Sequence, residues 1–144
     1  MRIFTIGFTK TTAQSFFERL GSAGVKRVVD VRLNNVSQLA AFAKKDDLRY
    51  FLKSICGIDY VHRLELASTQ ELLHVYRERR ADWATYERNF VALMKARRIE
   101  QTLPKSELEA ACLLCSEDQP HHCHRRLVAE YLQERWPDVE VVHL

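Results

Sequence analysis

Apolar positions along the chain recur in two alternating periods. Residues 2–6 (Arg-Ile-Phe-Thr-Ile) form a short β-prone run closed by Gly7. After it, Phe16, Phe17 and Leu20 share one face of a helix that Thr9, Thr11 or Thr12 can cap and Gly24 can end. Residues 25–31 are β-branched and almost uninterrupted, the pattern of a strand buried on both faces in a parallel sheet, so the segment reads as a β-α-β unit. Leu39, Phe42, Leu48, Leu52 and Ile55 then fall at near-helical spacing, which predicts one helix ending at Gly57, and residues 58–61 predict a further short strand.

The second half continues the alternation. Ser68-Thr69-Gln70-Glu71 has the form of a capping box for a helix over residues 69–79. Asp82 can cap a longer helix whose apolar stripe is Trp83, Tyr86, Phe90, Leu93 and Met94. Pro104 stops that element, residues 110–115 predict a strand, Pro120 suits the first turn of a helix carrying Leu127, Val128, Tyr131 and Leu132, and Val139, Val141 and Val142 predict a last strand. This order predicts an α/β fold over residues 1–144: a single domain whose parallel-rich sheet of about five strands carries helices on both faces.

Composition narrows the class. With 144 residues the chain can bury a core without metal or disulfide support, and 47% hydrophobic with 28% charged residues is the mixture of an ordinary soluble protein. Apolar stretches reach only about six residues, far short of a membrane span, and the N-terminal run is too short for a signal peptide. A cytoplasmic location without membrane partners is therefore expected, with Cys56, Cys112, Cys115 and Cys123 reduced. The net charge of +3 is compatible with an anionic ligand and well below a nucleic-acid footprint by itself. Lys44-Lys45, Arg77 with Arg79-Arg80, Lys95 with Arg97-Arg98, and Arg125-Arg126, interspersed with Tyr50, Tyr76 and Tyr86, keep single-strand binding open, although solvated helix faces explain most of them.

Candidate chemistry gathers at the predicted carboxyl ends of the strands, where open α/β sheets bind ligands. Thr9 follows the first strand, Asp30, Arg32 and Ser37 the second, and Cys115, Glu117, Cys123, His124 and Arg125 the fourth. Side chains two apart on a strand share a face, which pairs Asp30 with Arg32, as an ion pair or a ligand clamp, and Cys115 with Glu117. A helix start at residues 123–125 favours anions and lowers the pKa of a nearby thiol. Cys115 or Cys123 is then a candidate nucleophile, His124 its base, Glu117 an orienter or general acid, and Thr9, Asp30, Arg32, Ser37 and Arg125 the substrate-binding set. A buried, inert thiol is the competing reading. Cys112, Cys115, Cys123 and His124 also have the donor types of a zinc site. Residues three apart on a strand face opposite ways, which leaves Cys115, Cys123 and His124 or His122 as the smaller set. Gly-x-Gly-x-x-Gly, Walker and Gly-x-Ser-x-Gly motifs are absent, and so is a Cys with Arg six residues on from Cys115, so no cofactor is expected.

At Thr5-Ile6-Gly7-Phe8-Thr9, Asp30-Val31-Arg32, Leu113-Leu114-Cys115-x-Glu117 and Cys123-His124-Arg125 the chain resembles, over essentially its whole length, the family catalogued as domain of unknown function 488. It is most similar to the subgroup with Arg-Leu-Asn-Asn-x-Ser after the second strand, here residues 32–37, and departs from that subgroup's Leu-Ala-Pro-Thr by having Ser68 in place of Pro. Many members carry His and Ser where this chain has Phe8 and Thr9, which leaves His124 as the titrating group here. The resemblance implies an α/β fold and a shared site, and no particular reaction.

Overall fold

The computed structural model describes residues 1–36, 40–78, 82–117 and 119–144. Its centre is a five-stranded, all-parallel sheet in the order β3-β2-β4-β1-β5. The strands are β1 (Arg2–Gly7), β2 (Arg27–Asp30), β3 (Asp59–His62), β4 (Ala111–Cys115) and β5 (Glu140–His143). β1 and β2 follow each other in sequence but are not neighbours, because β4 lies between them. The pairings Gly7 with Cys115 and Asp30 with Leu114 end all three central strands at one rim.

Among the described residues, six α-helices surround the sheet: α1 (Ala13–Ala23), α2 (Lys45–Phe51), α3 (Gln70–Arg77), α4 (Trp83–Arg97), the single turn α5 (Ile99–Thr102) and α6 (His124–Arg135). One face packs Phe16, Phe17 and Leu20 of α1 and Leu48 of α2 against Phe4, Ile6, Val28, Cys112 and Leu114. The other packs Tyr86, Phe90 and Met94 of α4 and Leu127, Val128 and Leu132 of α6 against Ile3, Val29, Leu113 and Cys115. β4 is buried at every position, as its unbroken apolar run requires. Among the described residues no helix is long and apolar enough to cross a membrane.

The caps follow side-chain chemistry. Thr12 accepts from the Ser15 N–H at 3.1 Å and Asp82 from the Thr85 N–H at 2.9 Å. At α3 the cap is Thr69, which accepts from Leu72 N–H, instead of the box serine Ser68, whose hydroxyl turns to the Thr69 carbonyl.

Two helix expectations are corrected. The apolar spacing from Leu39, which lies outside the described residues, to Ile55 does not form one helix. Residues Ala41–Ala43 make a 3-10 turn, Lys44 is extended, α2 follows, and Leu52–Cys56 close as a π turn. The break is held by a backbone hydrogen bond from Lys45 N–H to the Asn35 carbonyl at 2.8 Å, and the wider π turn leaves Ile55 exposed. α6 begins at His124 rather than after Pro120. Pro120 opens a turn that its carbonyl closes on Cys123 N–H at 3.1 Å, and Cys123 becomes the helix's N-cap residue.

Candidate functional site

The rim at the carboxyl ends of β1, β2 and β4 carries two polar clusters, one on each face of the sheet. On the face covered by α1 and α2, Asp30 is fully buried and receives the Arg32 fork, Nε and Nη2 each at 2.8 Å, together with Arg32 N–H at 3.1 Å. Tyr60 donates its hydroxyl to the same carboxylate at 2.5 Å and receives a hydrogen bond from Asn35 Nδ2 at 3.2 Å. Arg32 Nη2 also donates to the Ala43 carbonyl at 2.7 Å, and the guanidinium lies 5.2 Å from the Phe8 ring centre. Burial works against the charged guanidinium, but the hydrogen bonds and charge of Asp30 prevail and raise its pKa. Tyr60 is pushed up by burial and by the neighbouring carboxylate, so its hydroxyl stays a donor.

On the other face, Cys115, Cys123 and His124 are all buried, and one donor atom from each lies within 4.8 Å of the others. His124 Nε2 is 2.7 Å from the Val31 carbonyl. A carbonyl only accepts, so Nε2 carries a proton, and Cys115 Sγ lies against the ring, 3.6 Å from Nδ1 and 3.9 Å from Nε2. The hydrogen bond from Cys123 holds the Cys115 thiol below its ordinary pKa; burial opposes this, and the Ser116 backbone and the Arg125 charge assist. Cys123, as donor to Cys115 and buried, is raised. Cys112 points to the opposite face, where burial pushes its thiol far up, so it stands outside the group. Cys115, Cys123 and His124 are the one set of donors that could hold a metal ion among the described residues.

The loop from β4 to α6 is fastened to the sheet. Arg125 is fully buried and donates to the Glu117 carbonyl, which passes so close to Gly7 that a Cβ there would lie 1.6 Å from it. Thr9 donates through its backbone N–H, at 3.0 Å, and its hydroxyl, at 2.5 Å, to the Ser116 carbonyl.

The residues singled out from the sequence are thus placed as follows. Asp30 with Arg32 and Cys115 with His124 are in contact, and Thr9 and Arg125 brace the loop between them. Glu117 takes part through its backbone while its side chain is exposed, so strand alternation does not carry it onto the face of Cys115. β2 and β4 are neighbours, yet the Asp30 pair and the Cys115 group occupy opposite faces and meet only at the rim. There the charge of Cys115 still favours the Arg32 cation. Ser37, Arg79 and Arg80 lie outside the described residues. Other basic side chains are engaged within the fold: Arg97 Nη1 donates to the Leu64, Glu65 and Ala67 carbonyls, and Arg126 pairs with Glu87 and Glu130.

Sequence reasoning did not find Tyr60, Asn35 or the Val31 carbonyl as parts of these clusters. Only the alternation of β3 hinted at Tyr60, and a backbone carbonyl leaves no trace in residue identity.

An all-parallel α/β sheet with a thiol-imidazole pair and two buried arginines at one rim defines the class of protein. The family model described as Domain of unknown function DUF488 matches residues 12–132, and the chain belongs to that family. No curated protein and no solved structure gives a significant match.

Proposed function

We propose that the protein is a small cytoplasmic enzyme acting on an anionic substrate, a nucleotide or a related phosphate-bearing molecule, at the carboxyl edge of its sheet. The reading rests on one observation: the Cys115 sulfur lies against the His124 ring, 3.6 Å from Nδ1, while His124 Nε2 is anchored on the Val31 carbonyl. A thiol beside an imidazole that a third group orients supports covalent catalysis. Cys115 is the nucleophile, His124 takes its proton, and Glu117, exposed at the rim, is the general acid. Arg32 and Arg125, with the amino end of α6, bind the anion. Asp30 positions Arg32 or a substrate hydroxyl, Thr9 lines the approach, and Ser37 is kept in the substrate-binding set from the sequence alone. Four free cysteines support a reducing compartment.

The pH profile of Cys115 alkylation tests the central claim. Its rate is expected to follow the thiolate, with a midpoint below the value near 8.5 of an ordinary thiol. That midpoint is expected to rise in Cys123→Ala, which loses the donor. A wild-type midpoint at or above 8.5 removes the nucleophile. Binding and turnover of a phosphate-ester panel unchanged in Cys115→Ser, Glu117→Ala and Arg125→Ala alike would remove the enzyme reading altogether.

A second reading, a metal-binding protein, is favoured by the soft donor set of Cys115, Cys123 and His124. Protein purified without chelator is then expected to carry about one equivalent of zinc or a similar ion on a site of this kind, lost in Cys115→Ser. Elemental analysis giving less than about half an equivalent counts against it. A nucleic-acid-binding module, the third alternative, predicts single-strand binding that weakens with salt.

A further inference from the structure

Cys123 touches the reactive thiol, yet the enzyme reading gives it only a supporting hydrogen bond. Its sulfur lies within 4.8 Å of the Cys115 sulfur. A disulfide needs sulfurs at about 2.05 Å, so the two thiols are neighbours that must still approach each other for the bond to close. Among the described residues of the stretch joining the two cysteines, 116–122, there is no helix or strand, and its fastenings to the sheet are at Ser116 and Glu117. Neither remaining cysteine is comparably placed. Cys112 is sealed on the opposite face of the sheet, and Cys56 donates to the Phe17 carbonyl beside α1.

We propose that Cys115 and Cys123 form a dithiol couple that reduces small hydroperoxides, with Cys115 as the attacking sulfur and Cys123 as the resolving one. His124 Nδ1 receives the Cys115 proton. The thiolate attacks the terminal hydroperoxide oxygen, an S–O bond forms and the O–O bond breaks. The leaving alkoxide takes the proton held by His124 and departs as the alcohol. The Cys123 sulfur then attacks the Cys115 sulfenic acid, the S–S bond forms, the S–O bond breaks, and the Cys123 proton leaves with the hydroxyl as water. Two thiols and one hydroperoxide become one disulfide, one alcohol and one water. The couple uses the Cys115 of the enzyme reading but needs no anionic substrate.

The test uses the whole chain, reduced and freed of metal by chelation, with one equivalent of hydrogen peroxide. Intact mass is expected to fall by two hydrogens. After cleavage following Glu117 the peptides bearing Cys115 and Cys123 are expected to stay joined until reduced, in wild type and in Cys112→Ala. Cys115 is expected to react at least about tenfold faster than Cys56. Cys123→Ser is expected to stop at a Cys115 sulfenic acid that dimedone traps. Oxidation of wild-type Cys115 to the sulfinic acid without a cross-link overturns the proposal, and so does a cross-link through Cys56 or Cys112, or oxidation of Cys56 first. Should Cys123→Ser fail to fold, the wild-type cross-link alone decides. Loss of the cross-link with anion binding still sensitive to Arg32→Gln defeats this inference and leaves the enzyme reading standing; the converse result does the reverse.

Discussion

Asp30→Ala is expected to cost about 3–5 kcal/mol, measured by urea denaturation. The carboxylate is fully buried and the guanidinium it holds is 5% exposed. An exposed ion pair contributes little, but removing one partner of a buried pair leaves the other charge without water or counter-charge. Arg32 Nε and Nη2 would lose both oxygens, and the Tyr60 hydroxyl would lose its acceptor in the same step. The double replacement Asp30→Ala with Arg32→Met is therefore expected to recover most of the loss, because the unpaired charge goes with the arginine. A single-variant cost under about 1 kcal/mol would mean that water or a rotated Arg32 relieves the site, and the pair would then not be the rigid clamp described.

Gly7→Ala is expected to destabilise the protein by about 3 kcal/mol, at the top of the usual range for overpacking. The new methyl would sit 1.6 Å from the Glu117 carbonyl oxygen and 3.0 Å from Arg125 Nη1. The obstacle is backbone, so rotamer change cannot relieve it, and the loop must lift off β1. That movement also breaks the bond from Arg125 to Glu117. Equilibrium unfolding reads the stability. A variant as stable as wild type would show that the loop does not lie against β1. By contrast, an alanine at Gly21 meets only the Cys56 sulfur at 4.0 Å and is expected to be tolerated.

The layered α/β architecture was legible because a strand covered on both faces must be apolar throughout. Residues 110–115 have that property and Val28 and Val29 keep it in β2, while the helices capped at Thr12, Thr69 and Asp82 alternate with these strands. Strand order was not legible: nothing in residues 2–31 says that β4 will separate β1 from β2. The Asp30 and Arg32 pair could be read because it is local, two residues apart at and just past the end of β2. Cys115 and His124 could be suspected, but their alignment depends on Val31, which acts through a carbonyl. The continuous helix expected through Phe42 and Ile55 failed for the same kind of reason: apolar spacing cannot register the hydrogen bond from Lys45 to Asn35 that breaks it. Gly7 read as the end of a strand, whereas its importance lies in a loop more than a hundred residues downstream.

The position of β4 sets a timetable for the newborn polypeptide. Until residue 115 has left the ribosome, nothing joins β1 to the pair formed by β2 and β3, so the first three-quarters or so of the chain waits with open strand edges. When β4 arrives it joins the two halves of the sheet and brings Cys115 to the rim, and the residues after it, with Cys123, His124 and β5, finish both the site and the sheet.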